Sequence, residues 1–238
     1  MALLEVRHLR VGYGAIPVLQ GISFEVEAGT TTVLLGLNGA GKTTTVTTIA
    51  GLRAPWAGTI VFDGKRIDGR DPAVLVERGL TLIPEGRRVF PALTVRQNLR
   101  LGTWTKRRRR AELRTAEERV YEYLPVLAER RDQLAGTLSG GQQQMLAIGR
   151  GVMSLPTLML VDEASLGLSP KLAKTVFQII DRINQDGVTV IIVEQNVGVL
   201  RYADAALVME KGAIVYQGGG DELRQGDELR RTYLGAAS

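Results

Sequence analysis

The chain has 238 residues, 45% apolar and 23% charged, the balance of an ordinary soluble globular protein long enough to bury a real core. It has no cysteine and a single histidine, His8, which excludes disulfides, thiolate metal sites, cysteine nucleophiles and histidine-rich metal centres. No stretch reaches the roughly 18 uninterrupted apolar residues of a membrane span, and residues 1–7 lack the pattern of a signal peptide, so the protein is expected to stay in the cytosol.

Residues 3–9 and 22–27 alternate loosely (Leu4, Val6; Ile22, Phe24, Val26), with Gly12, Gly14, Pro17, Gly21 and Gly29 as punctuation. This pattern predicts two or more strands of an antiparallel sheet. Tyr13 lies between them, either a stacking surface for a base or an ordinary half-buried tyrosine. Next comes the apolar run Thr32-Val33-Leu34-Leu35, then Gly36-Leu37-Asn38-Gly39-Ala40-Gly41-Lys42-Thr43, then a helical stretch from Thr44 to Ala50. Strand, glycine-rich turn and helix in this order make a phosphate cradle. The glycines let backbone N–H groups turn inward on an anion and the helix adds its positive end, while Lys42 reaches the outer phosphates and Thr43 offers a hydroxyl to Mg²⁺.

Residues 58–64 read as a further strand ending in an Asp-Gly turn, residues 72–78 as a short helix opened by proline, and residues 80–83 as an apolar strand that stops at Pro84-Glu85-Gly86. From about residue 93 to residue 134 only helical patterns occur, and we take residues 93–137 as a helical subdomain inserted into an α/β core. Within it, Lys106-Arg107-Arg108-Arg109-Arg110 concentrates much of the net charge of +5. A solvated basic helix start, an anionic headgroup contact and nucleic acid are the three readings of such a run, but Trp104 stands alone beside it, with no aromatic stacking surface for bases.

Ser139-Gly140-Gly141-Gln142 opens a helix over 143–153 and forms a second anion-binding element. Residues 158–161 are four apolar residues followed by Asp162 and Glu163. A strand apolar on both sides belongs in the middle of a parallel sheet, whose C-terminal end is where such sheets bind ligands. Ser169-Pro170 caps the next helix, residues 188–193 form another buried strand ending at Glu194-Gln195-Asn196, and strands over 205–209 and 213–217 precede short surface helices over 221–233.

Leu138-Ser139-Gly140-Gly141-Gln142 is the signature of the ATP-binding-cassette (ABC) family, and with the phosphate loop and the acidic strand the resemblance covers essentially the whole chain. It implies a single P-loop NTPase domain over 1–238 with an antiparallel β subdomain and the helical insertion. Gly36, Asn38, Gly39, Ala40, Gly41, Lys42, Thr43 and Thr44 would hold ATP phosphates and Mg²⁺; Asp162 would hold the metal, Glu163 would polarise the attacking water, and Tyr13 would stack on adenine with Val18 beside it. Ser139, Gly140, Gly141 and Gln142 of one subunit would face the γ-phosphate on another, in a dimer that sandwiches two ATPs. The loop Ser165-Leu166-Gly167-Leu168 would communicate between the two sites.

Three departures from the usual cassette stand out: Glu85 where most carry glutamine, Gln195 where most carry histidine, and Ala164 in place of a proline. Glu85 can still face Mg²⁺ or water, and the Gln195 amide can still donate to a γ-phosphate oxygen. Ala164 gives up a fixed φ and is expected to loosen the turn after Glu163. Pro84-Glu85-Gly86-Arg87-Arg88 and Val193-Glu194-Gln195-Asn196 resemble the second ATPase subunit of bacterial liv-type branched-chain amino-acid importers. The branch implies work at the inner face of the membrane with two permease subunits, a paralogous ATPase or a second copy, and indirectly a solute-binding protein, with no nucleic acid. Related branches move urea, amides or aromatic acids. A soluble nucleic-acid-handling ABC protein and a nucleotide sensor without turnover are the competing readings.

Overall fold

The computed structural model describes residues 2–104 and 110–226. The basic run from Lys106 to Arg109, and the stretch expected to be helical beyond residue 226, fall outside the described residues.

Two sheets organise the chain. The first is four-stranded and antiparallel, in the order β2 (Ile16–Glu27), β1 (Ala2–Tyr13), β4 (Ala57–Phe62), β5 (Lys65–Arg66). Asp63 and Gly64, both left-handed at φ 48° and 66°, make the tight turn between β4 and β5, as the Asp-Gly pair predicts. β1 and β2 are longer than the residues expected from alternation, and Tyr13 ends β1 instead of lying in a free loop. Register shifts between β1 and β2 break the period-two pattern, which is why alternation alone undersizes them.

The second sheet has six strands in the order β10 (Ala213–Gly219), β9 (Ala205–Glu210), β3 (Thr31–Leu35), β8 (Thr189–Glu194), β7 (Leu158–Asp162), β6 (Leu80–Ile83). β9 through β6 run parallel and β10 adds an antiparallel edge. Every residue of β3, β7 and β8 is buried, the signature of strands covered on both faces. Alternate residues feed two cores. Leu34, Leu160, Ile191 and Leu207 join the first sheet and α1 (Lys42–Ile49) on one face, while Val33, Val161, Ile192 and Val208 join the helices on the other.

α1 carries five threonines among its eight residues, a poor helix former on intrinsic grounds. Thr45, Thr47 and Thr48 donate their hydroxyls back to the carbonyls of Gly41, Thr43 and Thr44 at 3.0, 2.6 and 2.7 Å, and burial of Val46 and Ile49 anchors the helix to the sheet. It begins two residues earlier than the expected Thr44 because Gly41, at φ 106°, turns the chain at its start.

After α2 (Pro72–Glu77) and β6 the chain is helical: α3 (Val95–Leu101), α4 (Arg110–Tyr123) and α5 (Pro125–Glu129), all packed against α6 (Gly140–Met153). Asn98, fully buried, fastens the segment before α3 by accepting from Phe90 N–H and donating to the carbonyls of Phe90, Leu93 and Thr94. α7 (Pro170–Gln185) and α8 (Gly220–Gln225) complete the set. Among the described residues no helix is long and apolar enough to cross a membrane.

Candidate active site

The C-terminal ends of β3, β7 and β8 are neighbours in the sheet, so the loops that leave them open on the same edge. Gly39 at φ 81° and Gly41 at φ 106° turn the loop after β3 through conformations that side-chain-bearing residues avoid. Gly36 meets a different demand: a Cβ there would lie 2.5 Å from the Met209 carbonyl of β9.

An open cleft of about 370 Å³ collects Asn38, Gly39, Gly41, Lys42, Thr43 and Thr44 from this loop, Tyr13 and Val18 from the first sheet, and Glu85, Glu163 and Gln195 from the ends of β6, β7 and β8. Leu166, from the loop expected to communicate between two sites, also lines it. Gly36 and Ala40 stand behind the cleft wall; Ala40 is buried, with its N–H on the Leu37 carbonyl at 3.2 Å. Ser139, Gly140, Gly141 and Gln142 do not line the cleft: they form the N-terminus of α6, where Ser139 and Gln142 make a reciprocal capping box. Arg87 lays its guanidinium over Gly140, so that a Cβ there would lie 2.8 Å from it.

The charged groups are tightly coupled. Lys42, only 4% exposed, donates to the Leu37 carbonyl at 3.2 Å and pairs with Glu163 at 3.4 Å. The Gln195 amide donates both to Asn38 Oδ1 at 2.7 Å and to Glu163 Oε1 at 2.9 Å. Glu163 sits at φ 46°, a left-handed conformation costly for a glutamate, held by its N–H on the Val193 carbonyl at 2.9 Å. Thr43 donates its hydroxyl to Asp162 Oδ1 at 3.2 Å. Burial pushes the Asp162 carboxyl up to about 6; the charges of Glu163 and Glu85 push the same way, against the Thr43 hydrogen bond and the Lys42 charge.

Three carboxylates converge here, yet among the described residues no group of three His, Cys, Asp or Glu side chains is arranged to cage a metal. The Thr43 hydroxyl and the Asp162 carboxylate are the donor set that suits Mg²⁺, which takes one or two protein oxygens and completes its shell with water and phosphate. Tyr13 is 46% exposed, its hydroxyl 3.5 Å from Thr44 Oγ1, and the Arg53 guanidinium covers one ring face at 3.7 Å from the centroid. Arg53 was not legible as a site residue, because nothing in its own neighbourhood of the sequence ties it to Tyr13.

The family model of the ABC transporter matches residues 19–166, most of the chain. The chain belongs to the ABC transporter family. It is 42% identical over 224 residues to the high-affinity branched-chain amino acid transport ATP-binding protein BraG of Pseudomonas aeruginosa, covering 94% of this chain and 95% of that one. It is 31% identical over 243 residues to the Fe(3+) ions import ATP-binding protein FbpC of Yersinia pestis, covering 99% of this chain and 68% of the other. The crystal structure of an ATP-binding cassette in its ADP conformation superposes with a TM-score of 0.87 at 27% identity, covering 99% of both chains. This ABC protein is thus an ATP-binding and ATP-hydrolysing subunit on a mixed α/β P-loop core.

Proposed function

We propose that the chain energises a bacterial importer of branched-chain amino acids by hydrolysing ATP in the cleft at the ends of β3, β7 and β8. The observation that carries the chemistry is the placement of Glu163 between Lys42 and Gln195, with Asp162 behind Thr43. The likeness to BraG, with the Glu85 and Gln195 departures, supports the choice of cargo.

Tyr13 stacks on adenine and Val18 packs beside it, while Lys42 and the N–H groups of the loop from Gly36 to Thr44 bind the phosphates. Thr43, Asp162 and Glu85 would hold Mg²⁺, which would supply positive charge to neutralise the phosphates. Glu163 orients a water and takes its proton as the water oxygen bonds to γ-phosphorus. The bond from that phosphorus to the β–γ bridging oxygen breaks, and ADP leaves with the electron pair. Gln195 keeps Glu163 aimed and donates to a γ-phosphate oxygen. Ser139, Gly140, Gly141 and Gln142 of a second subunit, a paralogous ATPase or another copy, close the site from outside.

We assign residues 1–238 to one ABC ATPase domain, with the helical insertion over about 93–137. That insertion and the Glu85 loop, with Arg87 and Arg88, receive the coupling segments of two permease subunits at the inner face of the membrane. A solute-binding protein delivers the cargo, and nucleic acid takes no part.

Glu163→Gln is expected to slow steady-state phosphate release by about 10²-fold or more while ATP still binds; wild-type turnover in that variant removes the base assignment. Absence of release from the unaltered protein favours the sensor reading. For the cargo, deletion of the chain is expected to abolish high-affinity uptake of labelled leucine, isoleucine and valine. Intact uptake of these with loss of urea or amide uptake transfers the protein to a sister branch.

A further inference from the structure

The hydrolysis scheme leaves one buried ionisable group unused. Glu194, the last residue of β8, is 2% exposed, and among the described residues no lysine or arginine is paired with it. A carboxylate buried without a counter-ion is costly, and an apolar residue would continue the strand at less expense. Each of its oxygens instead accepts a hydrogen bond from Ser165. Ser165 donates its backbone N–H to Oε1 at 2.9 Å and its hydroxyl to Oε2 at 2.8 Å. Burial raises the Glu194 pKa, with the Glu163 charge pushing the same way, and the two Ser165 bonds together with the Gln195 N–H oppose that rise.

Ser165 lies two residues beyond Glu163, and the residue between them, Ala164, places no restriction on φ. The turn is therefore fixed from outside. Glu163 N–H is held by the Val193 carbonyl and Ser165 by the Glu194 side chain, so two successive links bracket the left-handed glutamate. From Ser165 the constraint passes into the cleft, because Leu166 lines it and donates its N–H to the Glu163 carbonyl at 3.1 Å. In the other direction Glu194 is covalently joined to Gln195, whose amide touches both Asn38 and Glu163.

We propose that Glu194 is a positioning residue for ATP hydrolysis, a buried clamp on Ser165 that holds the left-handed turn of Glu163 and the aim of Gln195 together. The inference rests on Glu163 being the base. It separates two properties that a general structural role would lose together: turnover depends on the clamp, whereas nucleotide affinity, which resides mainly in the loop after β3 and in Tyr13, does not.

The test uses the full chain, with phosphate release for turnover and equilibrium binding for ATP affinity. Glu194→Ala is expected to lower kcat at least about tenfold with the ATP Kd within about twofold of the unaltered protein. Glu194→Gln can still accept from the Ser165 N–H and can donate to its hydroxyl, so it is expected to restore kcat to within about threefold of the original. Ser165→Ala leaves one link and should lower kcat by about threefold. Combined with Glu194→Ala it should add nothing further, because both remove parts of one contact. Unchanged kcat in Glu194→Ala, multiplicative effects in the double variant, or a loss of ATP affinity parallel to the loss of kcat each overturn the role. Should Glu194→Ala not fold, Ser165→Ala and Glu194→Gln decide: a threefold loss in the first with near-normal rate in the second sustains the clamp, and unaltered turnover in Ser165→Ala overturns it. A dead Glu163→Gln beside a fully active Glu194→Ala overturns the clamp alone, while a fully active Glu163→Gln overturns the base on which it stands.

Discussion

Asp162 joins the chemistry of the cleft to the stability of the protein. Its carboxyl is 1% exposed and burial lifts it from 3.8 to about 6, so the folded chain holds this proton to a higher pH than the unfolded chain does. The stabilisation it brings is complete below about pH 4 and is lost as pH rises through about 6, leaving a cost of about 3 kcal/mol near pH 8 without nucleotide. Asn at 162 cannot ionise yet can still accept the Thr43 hydroxyl. Asp162→Asn is therefore expected to raise Tm by about 8 °C at pH 8 and by about half as much at pH 5, as read by scanning calorimetry of nucleotide-free protein. At this scale the cleft-lining residues of the loop after β3 were readable as a group because they follow one another in a strand, glycine-rich turn and helix. Glu194 and Arg53 were not, since each acts on a partner, Ser165 or Tyr13, far away along the chain.

Among the elements, α6 keeps its capping role apart from its proposed role toward ATP. Ser139 accepts from the Gln142 N–H at 3.4 Å while Gln142 accepts from the Ser139 N–H at 3.0 Å. Removing the cap with Ser139→Ala should cost about 1 kcal/mol of unfolding free energy and Ser139→Gly only a few tenths, measured by denaturant titration. If the hydroxyl also meets a γ-phosphate across a dimer, both variants should lose hydrolysis to the same degree in spite of their unequal stabilities. Equal activity in all three proteins would leave Ser139 as a cap only. The buried strands were legible because β3, β7 and β8 carry apolar runs, with β3 leading into the glycine-rich loop and β7 and β8 ending in a carboxylate. The start of α1 was not, because five threonines hide a helix whose hydroxyls bond back to its own carbonyls.

For the whole molecule, the proposed sandwich requires a second subunit, since Ser139 to Gln142 lie outside the cleft formed by their own chain. Glu163→Gln with ATP and Mg²⁺ is expected to elute as a dimer in size-exclusion chromatography and to return to monomer with ADP; a chain that stays monomeric in both conditions needs a paralogous partner to complete the site. The order of the motifs along the sequence was enough to name the fold class, but not which strands become neighbours. That arrangement depends on long-range pairing, which no local pattern records.

The strand order β10-β9-β3-β8-β7-β6 also bears on how the protein is made. β3 is synthesised well before its two sheet partners, β8 at Thr189–Glu194 and β9 at Ala205–Glu210. Through all the intervening translation Thr31–Leu35 has both edges unpaired, an apolar segment of the kind that seeks foreign strands. The first sheet, whose strands are all finished by Arg66, can form meanwhile and cover one face of β3. A nascent chain stalled before β8 would therefore carry a finished phosphate loop on an unfinished sheet, with chaperones as its substitute neighbours until the last strands arrive.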